Sequence, residues 1–144
     1  MGRILLVDDY EQLAKLVSSV LKHQHHEVVT AENGLHALRL FDEHPFDLVI
    51  TDLWMPEMGG VELIQRLRSH WPDCRIIAIT GAKGGDAGER LRRAREAGAD
   101  ASLAKPFGRD ELLELVNTLM PSHPPESPGD KPAKPVSKPP FRGR

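Results

Sequence analysis

The feature that most limits what this chain can fold into is an alternation. Five short apolar runs, Arg3–Val7, Glu27–Ala31, 47–51, Arg75–Thr80 and Ala101–Ala104, are separated by amphipathic stretches. The first, third and fourth runs are nearly all apolar, as expected for strands buried on both faces of a parallel sheet. The fifth is weak, because Ala, Ser and Ala rarely make a strand alone. Between the runs, apolar residues recur at helical spacing: Leu13, Leu16, Val17, Val20 and Leu21, then Leu35, Leu38 and Phe41, then Val61, Leu63, Ile64 and Leu67. A fourth helix over Ala87–Ala97 shows only Leu91, Ala94 and Ala97 on its apolar side, and a fifth carries Leu112, Leu113, Leu115, Val116 and Leu119. Five βα units in succession need right-handed crossovers that place helices on both faces of the sheet. The expected class is a doubly wound α/β fold, with a five-stranded parallel sheet flanked by five helices. The order of the strands does not follow from the pattern.

A length of 144 residues suits one domain. Residues 1–120 form the expected globule. Residues 121–144 hold 8 of the 12 prolines and only one large aromatic, Phe141. Such a segment buries too little to offset its ordering entropy, so a disordered Pro/Lys-rich tail is expected, with Pro132 to Pro135 matching a PxxP pattern formally. The tail carries five basic residues against two acidic ones, which leaves −5 on the remainder of a chain whose net charge is −2. An acidic globule without a helix-turn-helix pattern is not expected to bind nucleic acid specifically. One cysteine, Cys74, cannot form an internal disulfide and fits a reducing cytoplasm, where it is expected to be a small buried hydrophobe. No run approaches the ~20 apolar residues of a membrane span, and the apolar run at the N-terminus is too short for a signal peptide.

In an open α/β sheet, ligands bind beyond the carboxyl ends of the strands. Strand one ends in Asp8 and Asp9, strand three in Asp52, strand four in Thr80 and strand five in Lys105. Three carboxylates on one edge repel one another, which raises the pKa of at least one unless a cation intervenes. A hard divalent ion such as Mg²⁺ suits that set. Asp52, placed centrally, has the chemistry of a nucleophile toward phosphorus, with Lys105 and Thr80 as hydrogen-bond donors to a phosphoryl group. Each residue also has a plainer role. Asp9 with Gln12 reads as a helix N-cap, Asp52 as a turn residue, Thr80 as an ordinary strand residue and Lys105 as a surface lysine. Their joint occurrence at strand ends is what favours a site. The Lys105-Pro106 bond is a candidate for a cis peptide that aims Lys105 inward, or else Pro106 simply precedes the fifth helix.

These residues lie within a set of motifs: Ile-Leu-Leu-Val-Asp-Asp at 4–9, Ala-Glu-Asn-Gly at 31–34, Asp-Leu-Val-Ile-Thr-Asp-Leu-Trp-Met-Pro-Glu-Met-Gly-Gly at 47–60, Ile-Thr-Gly at 79–81, Gly-Ala-Asp at 98–100 and Lys-Pro-Phe at 105–107. In that order they resemble the receiver domains of two-component response regulators, from Arg3 to about Met120. The resemblance implies a flavodoxin-like fold with strand order 2-1-3-4-5. It implies Mg²⁺ held by Asp8, Asp9, Asp52 and the Trp54 carbonyl. It further implies phosphorylation of Asp52 by a histidine kinase or phosphotransfer protein, with Thr80, Lys105 and the N–H groups of Trp54 and Gly81 around the phosphoryl group. A downstream protein partner is implied, and catalytic turnover is not. Receivers usually carry Tyr or Phe two residues after Gly-Ala-Asp. Ser102 stands there, so coupling to the fourth helix and fifth strand is expected to be weaker or differently routed.

Competing classes fare worse. An aspartate-based phosphohydrolase needs a second Asp two residues after the nucleophile, where this chain has Trp54. Bulk at Trp54 is expected to hinder water and prolong an acyl phosphate. His23, His25 and His26 match no metal-ligand spacing and read as a solvated loop. Arg90, Arg92, Arg93 and Arg95 read as a solvated helix face, with an acidic partner surface as the alternative. The chain also reads as the receiver fragment of a larger DNA-binding regulator or hybrid kinase.

Overall fold

A computed structural model describes residues 2–53, 58–81 and 87–120. Five strands alternate with five helices: β1 (Arg3–Val7), α1 (Glu11–His23), β2 (Glu27–Ala31), α2 (Gly34–Glu43), β3 (Leu48–Asp52), α3 (Gly60–His70), β4 (Arg75–Thr80), α4 (Ala87–Ala97), β5 (Ala101–Ala104) and α5 (Arg109–Leu119). The sheet is parallel throughout, in the order β2-β1-β3-β4-β5. The expected tail at 121–144 lies outside the described residues.

The burial pattern explains why the apolar runs are continuous. Leu5, Val7, Val49, Ile76 and Ala78 point to one face, where they meet Phe41 of α2, Leu63, Ile64 and Leu67 of α3 and Ala94 of α4. Ile4, Leu6, Leu48, Ile50, Ile77 and Ile79 point to the other, against Val17 and Leu21 of α1 and Leu112 and Val116 of α5. Each such leucine or isoleucine, fully buried, contributes roughly 1.5–3 kcal/mol. α4 has little to bury beyond Ala94, which accounts for its faint apolar stripe.

Two details differ from the sequence reading. β3 begins at Leu48 rather than Asp47, whose carboxylate instead accepts the Arg3 N–H at 2.9 Å and fixes the start of β1. β5 forms although only Leu103 is buried, because backbone pairing to β4 from Ile77↔Ala101 through Thr80↔Ala104 supplies what its side chains do not.

Local signals end the helices and set the loops. Asn33 caps α2, its Oδ1 accepting the His36 N–H at 2.8 Å. The Gly108 N–H donates to Glu111 Oε1 at 3.0 Å at the start of α5. At the end of the sheet opposite the carboxylates, the Arg68 guanidinium donates to the carbonyls of Gly98, Pro72 and Cys74 and pairs with Asp100 at 2.9 Å. Gly98 has φ of +126°, and a Cβ there would lie 2.9 Å from Arg68 Nε, so both backbone and packing require glycine.

Of the histidine cluster, His23 and His25 are exposed as expected. His26 is not solvated: it is buried, and its Nδ1 accepts the Gly2 N–H at 3.2 Å, while burial lowers its pKa. Cys74 is buried, and burial pushes its thiol pKa up to about 12, as suits a packing residue. On α4, Arg92 pairs with Glu89 and Glu96, and Arg93 with Glu89, all on an exposed face.

Candidate functional site

Parallel pairing puts every strand's carboxyl end on one edge, and the register does the rest. Asp52 pairs with Ile79 and Thr80 with Ala104, so β3, β4 and β5 end almost level. The Leu53 N–H donates to the Ile79 carbonyl at 2.9 Å and the Lys105 N–H to the Thr80 carbonyl at 2.7 Å, which carries the pairing one step past each strand. The Lys105-Pro106 peptide is cis. The Lys105 ammonium lies 3.3 Å from Asp52 Oδ2 and 3.9 Å from Asp8 Oδ2.

Asp8 and Asp52 are both buried, at 5% exposure each, whereas Asp9 is exposed. Carboxylate oxygens of the three lie within 4.8 Å of one another. The capping role open to Asp9 is not taken. The N-cap of α1 is Tyr10, without a side-chain cap, and it is Asp8 Oδ1 that accepts the Tyr10 N–H at 2.9 Å. Asp8 Oδ2 is buried with no hydrogen-bond partner among the described residues. Its carboxyl pKa is raised from 3.8 to about 6. Burial is the main cause. Asp52 and Asp9 push the same way, while the Tyr10 N–H and Lys105 pull back. Repulsion, the cause expected from the sequence, is therefore secondary to desolvation.

A buried carboxylate oxygen without a donor, beside two further carboxylates, fits a hard divalent cation. These residues form a cluster able to hold a metal ion. The Trp54 carbonyl and N–H lie outside the described residues.

Thr80 is buried, its Oγ1 3.3 Å from the Gly81 carbonyl. Among the described residues, a Cβ added at Gly81 would come within ordinary contact of Lys105 Cδ, at 3.7 Å. Glycines hold the surrounding loops close. A Cβ at Gly60 would collide with the Asp52 carbonyl oxygen and approach Leu53 Cα to 2.6 Å, so α3 starts directly against the strand end that carries Asp52. A Cβ at Gly34 would lie 2.8 Å from Met58 Sδ, so the motifs at 31–34 and 47–60 meet in space. The sequence reading missed this Gly34–Met58 contact. Glycines in two separate turn motifs were the available signal.

A five-stranded parallel sheet in this order, with clustered carboxylates, a threonine and a lysine at one edge, defines a class. The family model for the response regulator receiver domain matches residues 4–117, and the chain belongs to that family. It is 37% identical over 120 residues to the response regulator receiver protein CpdR of Brucella abortus, covering 83% of this chain and 94% of that protein. It is 36% identical over 120 residues to the transcriptional regulatory protein KdpE of Mycobacterium tuberculosis, covering 83% of this chain and 51% of the relative. The chain thus spans about half the length of that regulator. Among solved structures, a response regulator receiver domain protein from Clostridium thermocellum superposes with a TM-score of 0.76 at 29% identity, covering 83% of this chain and 94% of that one.

Proposed function

We propose that this receiver accepts a phosphoryl group on Asp52 from a histidine kinase or phosphotransfer protein and signals through a protein partner. The observation that carries the reading is the Asp52–Lys105 pair at 3.3 Å on the edge where Asp8 and Asp9 converge. Asp52 attacks phosphorus. The bond from phosphorus to the donor imidazole breaks, and its electron pair leaves with the imidazole. Asp52 becomes an acyl phosphate. Lys105 donates a charge-assisted hydrogen bond to the new group, and Thr80 can turn its hydroxyl from the Gly81 carbonyl toward it. Asp8, Asp9 and Asp52 would hold Mg²⁺, which when bound neutralises charge on the phosphoryl oxygens. The three carboxylates otherwise repel an incoming phosphate, so uptake depends on the cation.

In this reading the chain is a phosphoacceptor rather than a turnover enzyme, and it works in the cytoplasm. Among the described residues no helix is long and apolar enough to cross a membrane. A second reading makes it the receiver part of a larger DNA-binding regulator or hybrid kinase. It is favoured by the partial coverage of KdpE and of the CAI-1 autoinducer sensor kinase/phosphatase CqsS of Vibrio cholerae, of which the match spans 17%.

The test is intact mass after incubation with a small phosphodonor. One phosphoryl group is expected with Mg²⁺ and none with EDTA. Uptake equal under both conditions contradicts the reading.

Ser102 is exposed on β5, beside Ala104, so no ring lies at this place to swing inward. With beryllofluoride and Mg²⁺, amide shifts are expected to be large at Asp52, Thr80 and Lys105 and small along β5. Equal shifts along β5 would show that coupling does not need the aromatic side chain.

A further inference from the structure

One surface of the receiver takes no part in phosphoryl transfer. A groove of about 570 Å³ runs between α1 and β2, on the flank of the sheet away from β4 and β5. Its volume falls within the range of ligand-binding clefts. Its floor is made of small side chains, Ala14 and Ser18 from α1 with Val28 and Thr30 from β2, and its rim carries Lys15 and Lys22. Ser18 is more than nine-tenths buried.

The strand beneath it is an edge strand: among the described residues β2 pairs with β1 alone. The Glu27 N–H donates to the Gly2 carbonyl and the Asp8 N–H to the Ala31 carbonyl. With Arg3 opposite Glu27 and Val7 opposite Ala31, residues 27, 29 and 31 therefore turn their backbone groups toward β1. Val28 and Thr30 turn theirs outward, and their side chains lie on the α1 side of the sheet. The sheet's other edge, β5, is one residue shorter and runs straight into a cis-proline. Edges of natural sheets are commonly blunted by proline, bulges or lysine in the strand, and β2 carries none of these; only Glu27, at its start, is charged.

We propose that the β2 edge and the α1 groove dock an extended acidic peptide segment of a partner protein, which adds as a sixth strand beside β2. The backbone groups of Val28 and Thr30 would supply the ladder, and alternate side chains of the segment would enter the groove. Charge selects the occupant. Lys15 and Lys22 flank the groove, and Glu11, which pairs with Lys15 at 3.5 Å, stands at its far end. A carboxylate in the groove gains Lys22 and shares Lys15 with Glu11, whereas a basic segment, the 121–144 tail included, meets Lys22 as like charge.

The probe is a short capped peptide alternating glutamate with valine, titrated into the full ¹⁵N-labelled chain, with a lysine–valine peptide as control. Saturable shifts centred on the Val28 and Thr30 amides are expected with the acidic peptide only. The double variant Lys15→Glu/Lys22→Glu is expected to weaken binding at least about tenfold. Thr30→Pro removes an outward N–H without touching the β1 ladder and is expected to abolish it. Equal binding of the basic peptide, shifts confined to other faces, or an unaffected double variant would each overturn the proposal. So would shifts at Val28 and Thr30 that grow with protein concentration alone, or that follow removal of residues 121–144. Those would assign the edge to a second copy or to the tail.

Discussion

Asp8→Asn is expected to stabilise the metal-free protein at pH 7.5 by roughly 2–3 kcal/mol while weakening Mg²⁺ binding more than tenfold. The folded-state pKa of Asp8 is raised from 3.8 to about 6, chiefly because burial disfavours the charge. Its sign follows directly. Above pH 6 the native state holds an ionised carboxylate that the unfolded chain solvates better, so the group costs stability there. Between pH 6 and 4 the native state binds the proton more tightly, and the penalty disappears as pH falls. In EDTA the wild type should therefore gain stability from pH 7.5 to about 5.5, against the usual trend for paired carboxylates, and Asp8→Asn should show no such gain. With saturating Mg²⁺ the order reverses, because the ion holds Asp8 ionised and protons compete with it. Urea titrations at the two pH values, with and without Mg²⁺, measure all four states. An Asp8→Asn variant less stable than the wild type in EDTA would mean that Lys105, 3.9 Å from Asp8 Oδ2, stabilises the carboxylate by more than its burial costs.

Lys105→Met is expected to destabilise the metal-free protein by about 2 kcal/mol at pH 7.5. Breaking a buried ion cluster costs about 3–5 kcal/mol, and the partial exposure of Lys105 reduces that figure. Its ammonium lies within reach of both Asp52 and Asp8, at 3.3 and 3.9 Å. Without it two buried carboxylates face each other, which a divalent ion relieves. Mg²⁺ should raise the unfolding midpoint of the variant more than that of the wild type. The same variant should still take up phosphoryl groups slowly, since Asp52 remains, but should lose the amide shifts at Thr80 that accompany beryllofluoride. Equal stability of the two proteins in EDTA would show that Lys105 does not offset the carboxylate charge.

Much of this was legible before the structure, for physical reasons that differ by residue. Strands buried on both faces leave an unbroken apolar run, so β1 and β4 were plain and β3 was displaced by one residue only. β5 left almost no trace, because an edge strand needs few buried side chains once its backbone is paired. The site residues could be named because each lies at or just beyond the carboxyl end of a strand, and a parallel sheet gathers strand ends on one edge. Three features were hidden. The sequence offered Asp9 as a cap, but the helix starts at Tyr10 and the Tyr10 N–H goes to Asp8. The burial of His26 depends on the Gly2 backbone, 24 residues away in the chain, which no local pattern encodes. The dominance of burial over repulsion in raising the Asp8 pKa needed its exposure, which a string of three aspartates does not give.

The most direct measurement is the identity of the phosphorylated side chain. After incubation with a small phosphodonor and Mg²⁺, borohydride reduces an aspartyl phosphate to homoserine, which peptide mass mapping locates. The account predicts homoserine at position 52 alone, and none in Asp52→Asn. Homoserine at position 8 or 9, or its persistence elsewhere in the Asp52→Asn protein, would contradict it.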